Sequence, residues 1–185
     1  MHLKTLFGVY NKNMLKTAIS HYWTNVSKTR SDYKLSCFET QLVTVLKMKD
    51  LSCRTGVKAT VPGYFRPSKN WDILGNDKFQ NQVCAIELKS INNKSFRKNV
   101  NNRLEEAIGC GVDALWKNPS LSIGYIVVCE TEYAEAYERF HKLMDIYDAV
   151  LIVSTTCLET YESSCTIDTF VNKILAKRDR EQLFN

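Results

Sequence analysis

Asp72, Glu87 and Lys89 are the residues of this chain whose types and spacing can do chemistry. An apolar run, Val83-Cys84-Ala85-Ile86, leads directly into Glu87-Leu88-Lys89. In an extended strand residues i and i+2 share a face, so Glu87 and Lys89 project together. Asp72 sits in an earlier short apolar segment, Trp71-Asp72-Ile73-Leu74, and a hairpin turning at Gly75-Asn76-Asp77 brings it alongside Glu87. Two carboxylates and a lysine at one end of a sheet suit metal-assisted cleavage of a phosphodiester. That hydrolysis builds negative charge on the phosphoryl oxygens. Mg²⁺ offsets such charge while taking only one or two carboxylates, leaving its other positions to water and phosphate. Asp72 and Glu87 are the expected ligands, with the Leu88 carbonyl as a third. Lys89 is expected to orient or help deprotonate the attacking water and to stabilise the developing charge. Its neighbours can move its pKa either way. The same pattern also describes a solvated strand face; the strong apolar run into Glu87 is what favours a site.

The charge distribution bears on the partner. Residues 1–104 hold 18 Lys or Arg against 6 Asp or Glu, and residues 105–185 hold 7 against 14, so the two parts carry +12 and −7. Asymmetry of this kind suggests a polyanion against one face. The densest basic stretch, Lys89, Lys94, Arg97, Lys98 and Arg103, follows the Glu-x-Lys directly, with no acid from Leu88 to Leu104 and with Asn92, Asn93, Asn99, Asn101 and Asn102 interleaved. Lys and Arg can neutralise phosphates, and Asn and Arg can bond base edges. A flexible solvated loop has the same composition; adjacency to the acidic pair favours a DNA contact.

The elements that must position these residues form an alternating series. Residues 13–27 read as a helix with Leu15, Ile19, Tyr22 or Trp23, and Val26 at helical spacing, and 38–48 as a second helix striped by Leu42, Val45 and Leu46. Gly56 to Val61 reads as a short strand, Pro62-Gly63 as a turn, and 70–74 and 83–89 as the two site strands. Helix over 102–116, a buried strand over 123–129, helix over 131–147, strand over 149–154 and helix over 167–177 complete the order. Strands bounded by helices on both sides predict an α/β fold with a mixed central sheet. At 185 residues one domain is expected, with an N-terminal helical part (1–54), a core (55–154) and a C-terminal helix (155–185). No apolar run approaches the roughly 20 residues of a membrane span, and the N-terminus lacks a signal-peptide core and cleavage site. Seven scattered cysteines, at 37, 53, 84, 110, 129, 157 and 165, and three His match no zinc spacing. Several of the cysteines lie in apolar runs and read as small core residues, and a reducing cytoplasm fits.

This order, a strand bearing Asp before a strand bearing Glu-x-Lys, then helix and strand, resembles the PD-(D/E)xK nuclease core. Three blocks carry a closer likeness: Pro62-Gly63-Tyr64-Phe65-Arg66-Pro67-Ser68-Lys69-Asn70-Trp71-Asp72, Ala85-Ile86-Glu87-Leu88-Lys89-Ser90, and Asn101-Asn102-Arg103-Leu104-Glu105-Glu106-Ala107-Ile108-Gly109. Together, and in this order, they resemble the XhoI-type type II restriction endonucleases, strongly over residues 61–116. The resemblance implies Mg²⁺-dependent cutting of both strands of double-stranded DNA at CTCGAG by a homodimer. A cognate DNA methyltransferase would be a system partner without stable contact. It implies Asp72, Glu87 and Lys89 as the catalytic motif, and Glu39 as an additional acid or else a carboxylate favoured at a helix start by the dipole. Tyr64, Arg66 and Lys69 are then DNA contacts, unless Tyr64 and Pro67 only fix the loop. Lys94, Arg97, Lys98, Asn101, Asn102 and Arg103 are DNA contacts from the basic segment. Glu105 and Glu106 orient basic residues, coordinate through water or begin a helix. Between Glu130 and Arg139 the chain is shorter than the family pattern. A structure-selective nuclease, or a DNA-binding module without catalysis, is the alternative on the same fold.

Overall fold

The computed structural model describes residues 3–27, 31–156 and 166–183. Two helices open the chain, α1 (Leu3–Thr24) and α2 (Ser31–Met48). Strand β1 (Ser52–Thr55) follows, then a 3₁₀ turn and a two-stranded ribbon, β2 (Thr60–Val61) with β3 (Lys69–Asn70). The central strands are β4 (Ile73–Asn76) and β5 (Gln82–Ile91), and α3 (Phe96–Lys117) leads from them to β6 (Ser122–Cys129). The remainder is α4 (Tyr133–Phe140), β7 (Ala149–Ser154) and α5 (Ile167–Leu183).

One five-stranded mixed sheet organises these elements in the order β1-β4-β5-β6-β7. The β1–β4 and β4–β5 pairs are antiparallel, and β5–β6 and β6–β7 are parallel. Period-two alternation sorts the central strand between two apolar layers. Cys84, Ile86 and Leu88 join residues of α1, α2 and α5 such as Ile19, Phe38, Leu42 and Phe170. Ala85 and Ile91 join Tyr125, Val127 and the inner residues of α3 and α4, including Phe96, Ala107 and Phe140. The expected α/β sandwich with a mixed sheet is therefore the observed one. Strand β6 is buried along its whole length, as a parallel strand covered on both faces should be. Gly124 lets α5 approach it closely, because a Cβ there would lie 2.5 Å from Ile174 Cδ1.

Several boundaries differ from the sequence reading. Buried Leu35 continues the apolar stripe of α2 toward Ser31, so Glu39 lies past the first two turns and not at the start; the dipole account of Glu39 falls away. Gly56 has φ +55, which breaks the expected strand over 56–61 into a 3₁₀ turn followed by β2. The expected strand over 70–74 is likewise split, with Asp72 in the bend between β3 and β4. Gly75 and Asn76 belong to β4. The turn comes later, where Asp77 Oδ1 accepts the Phe79 and Asn81 amides at 2.8 and 2.9 Å. Buried Phe96 and Val100 start α3 before Asn102, so most of the basic segment is helical and not a loop. The helix expected over 131–147 tightens to 3₁₀ over His141–Asp145. None of the five described cysteines is in a disulfide, and Cys84, Cys110 and Cys129 are buried; Cys157 and Cys165 lie outside the described residues. No helix among the described residues is long and apolar enough to cross a membrane.

Candidate active site

The sheet brings the two acids together by register. Trp71 is almost fully buried, and its amide donates to the Ala59 carbonyl at 2.9 Å, which anchors the chain just before Asp72. The β4–β5 pairing matches Ile73 with Ile86, so one further step sets Asp72 opposite Glu87. The Asp72 Oδ2 accepts the Leu88 amide hydrogen at 2.6 Å. Glu87 is buried, and both of its oxygens meet ammonium groups: Oε2 meets Lys69 Nζ at 2.9 Å, and Oε1 pairs with Lys89. Lys89 also reaches Glu106 Oε1 at 3.3 Å, and Glu106 Oε2 holds Arg103 at 2.7 Å. An alternating line of charges results, Lys69–Glu87–Lys89–Glu106–Arg103, with Asp72 beside its centre. On the α2 side, Leu35, Glu39, Thr55, Gly56, Asp72, Leu88 and Lys89 line a cavity of about 360 Å³.

The electrostatics follow from that crowding. Burial first, and the charge of Glu87 second, push the Asp72 carboxyl up to about 6 against the opposing Leu88 amide and the two lysines. Burial alone would lower Lys89, but Glu87, Glu106 and Asp72 outweigh it and raise its pKa, so the amine keeps its proton. Burial would raise Glu106, yet Lys89 and Arg103 hold it below its ordinary value. The ambiguity over Lys89 thus resolves towards a protonated lysine, suited to orienting water and to binding developing negative charge rather than to taking a proton. Among the described residues no group of three or more His, Cys, Asp or Glu side chains forms a ready metal cage. Asp72 and Glu87 nonetheless supply the one or two carboxylates that Mg²⁺ takes from a protein, with both Glu87 oxygens paired to Lys69 and Lys89.

The expected DNA contacts divide into three groups. Lys69 and Arg103 belong to the charge line. Arg66 is fastened to α3 through Asp113, with Nε 2.9 Å from Oδ2, and through Cys110 Sγ at 3.7 Å. Asp113 also accepts the Phe65 amide at 2.6 Å, and a Cβ on Gly63 would lie 2.1 Å from its Oδ2. This buried acid fixes the loop from Pro62 to Pro67 and leaves Tyr64, Phe65 and Trp116 as an exposed ring cluster with centroids 5.0–5.7 Å apart. The third group lies at the start of α3. Lys94 and Arg97 line a cavity of about 280 Å³ with Asn93, Phe96 and Glu135. Lys98, Asn101 and Asn102 are exposed, and Arg139 donates to Asn101 Oδ1 at 2.6 Å. The sequence reading does not single out Asp113, although an acid between Val112 and Ala114 on a helix with an apolar face signals a buried partner. Glu106 bridges Lys89 and Arg103 from within α3, so it does not begin a helix, whereas Glu105 is exposed.

A profile of the family described as restriction endonuclease XhoI matches residues 31–139, which contain all of these groups. The chain belongs to the XhoI restriction endonuclease family. It is 54% identical over 54 residues to the type II restriction enzyme XhoI of Xanthomonas vasicola, a stretch covering 29% of this chain and 21% of that enzyme. It is 41% identical over 80 residues to the type II restriction enzyme AbrI of Azospirillum brasilense, covering 38% of this chain and 35% of that enzyme. A further relative is BstVI of Geobacillus stearothermophilus, 38% identical over 81 residues, covering 42% and 36%. The chain thus spans about a third or less of the length of these XhoI-family relatives. No solved structure matches.

Proposed function

We propose that this chain carries the catalytic centre of a Mg²⁺-dependent type II restriction endonuclease that cuts both strands of double-stranded DNA. The reading rests above all on half-buried Asp72, held by the Leu88 amide, next to buried Glu87 paired with Lys89. Asp72 and Glu87 would hold Mg²⁺, with the Leu88 carbonyl as a further ligand, and Glu39 is the additional acid, facing the cavity that Asp72 and Leu88 line. When bound, the ion supplies charge neutralisation for the phosphoryl oxygens and a more acidic water. Lys89 orients that water and stabilises charge as it builds on the phosphate. Glu106 keeps Lys89 in place, and Arg103 keeps Glu106 in place.

Tyr64 and Arg66 meet DNA from the loop that Asp113 fixes, and Lys94, Arg97, Lys98, Asn101 and Asn102 meet it from the start of α3. Phosphate contacts of this kind position the duplex, while Asn and Arg can read base edges. The family resemblance supplies CTCGAG as the target. A palindrome calls for a two-fold symmetric reader, hence a homodimer, working in the cytoplasm alongside a methyltransferase that protects the same sequence.

The test is to incubate the protein with plasmid and Mg²⁺ and to map the ends. Discrete fragments with termini inside CTCGAG are expected, and Asp72→Ala and Lys89→Ala should each abolish them. Cutting confined to branched DNA, or retardation without cutting, would refute the proposal in favour of a structure-selective nuclease or a binding module.

A further inference from the structure

Each oxygen of Glu87 already carries an ammonium, so a cation approaching either one meets a positive charge. Lys69 occupies Oε2 at 2.9 Å and Lys89 occupies Oε1, and the carboxylate is only 4% exposed. The surrounding charges already balance, with Lys69, Lys89 and Arg103 against Asp72, Glu87 and Glu106. A divalent ion on Glu87 is repelled by both ammonium groups, so its binding favours the departure of one of them. Lys89 stands on the central strand and has Glu106 as a second acidic partner. Lys69 stands on the two-residue strand β3, outside the main sheet, and its other contacts are weak: the Asn70 carbonyl at 3.3 Å and the Trp71 ring at 5.3 Å.

We infer that Lys69 is a resident cation on Glu87 that gives way when metal binds and then pairs with a phosphodiester oxygen of the DNA. This inference rests on the metal reading of Asp72 and Glu87 above. It assigns Lys69 a role beyond a fixed DNA contact, because the amine exchanges one anion for another. Without DNA the displaced ammonium gives up its ion pair with Glu87, so metal binding is weakened. With DNA it gains a phosphate in exchange, and the two ligands then favour each other reciprocally.

The probe is Mn²⁺, with the free ion read by electron paramagnetic resonance, on the whole chain with and without a non-cleavable phosphorothioate CTCGAG duplex. Lys69→Gln, which keeps a donor for Glu87 but no charge, should bind Mn²⁺ about tenfold tighter than wild type in the absence of DNA, the scale of one charged hydrogen bond. The enhancement by DNA should shrink by a similar factor. Lys69→Met should behave as Lys69→Gln, and Lys69→Arg as wild type, with folding followed by circular dichroism. Equal or weaker Mn²⁺ binding by both neutral variants, while Asp72→Asn binds none, overturns the role of Lys69 and leaves the metal reading standing. No Mn²⁺ binding by wild type or any variant overturns both.

Discussion

The Asp72 carboxylate accepts the Leu88 amide hydrogen at 2.6 Å, so the acid at the mouth of β4 is fastened to the main chain of β5 midway between Glu87 and Lys89. Its position is set by the sheet and not by a flexible side chain, and the crowding that results governs its ionisation.

Asp72 should make the metal-free protein less stable as pH rises. Its folded pKa, about 6, lies above its ordinary value of 3.8. The folded state therefore binds more protons between those limits, and stability falls as pH rises through that window. Asp72→Asn keeps an oxygen for the Leu88 amide and removes the half-buried charge. In chelator at pH 8 it should stabilise by on the order of 1–3 kcal/mol, with the gain fading below about pH 4. Denaturant melts at several pH values measure this; a gain that grows towards low pH would contradict it.

Glu106 acts through Lys89, which it meets at 3.3 Å. Glu106→Gln should lower kcat by about tenfold with little change in KM for DNA. Because Glu106 is one of the groups raising the Lys89 pKa, the alkaline limb of the rate profile should also move to lower pH. A uniform loss at every pH would point instead to a general structural defect.

Asp113 fixes the loop that carries Tyr64 and Arg66. Asp113→Ala leaves the Phe65 amide and the Arg66 guanidinium without their acceptor and should cost about 2–3 kcal/mol. Gly63→Ala should weaken DNA retention in the same direction, since its Cβ would meet Asp113 Oδ2 at 2.1 Å and the Arg66 carbonyl at 2.9 Å. Thermal melts and gel retardation of the two variants provide the comparison; unaltered retention in both would remove the loop from the interface.

Lys98 is exposed at the start of α3. Lys98→Ala should weaken DNA binding whatever the sequence and reduce the slope of log K against log salt by roughly 0.9, the value for one phosphate contact. An unchanged slope would place Lys98 off the DNA.

The sequence made the central architecture legible because period-two alternation and buried strand runs report directly on a covered sheet. Asp72, Glu87 and Lys89 were legible for the same reason, since charges at the end of the run 83–86 interrupt an otherwise apolar strand. Boundaries were harder to read. Gly75-Asn76 looked like a turn, but the Asp77 side chain captures two amides further on and moves the reversal there. The basic segment looked like a loop because Lys, Arg and Asn dominate it, while only Phe96 and Val100 mark its buried helical face. Partnerships across distant segments were beyond local pattern altogether. Lys69 on Glu87, Glu106 on Lys89 and Asp113 on Arg66 arise from tertiary packing, which no spacing rule encodes.

Lys69, Asp72, Glu87, Lys89, Arg103 and Glu106 all come from one unbroken tract, and Glu39 faces Asp72 across a cavity from α2. Inheritance of the candidate site is therefore physically linked: a single exchanged fragment transplants the whole charge line at once. The described residues of α1 and α5 lend that line no member and pack behind the sheet, so this layer can be rebuilt as long as its apolar face is kept.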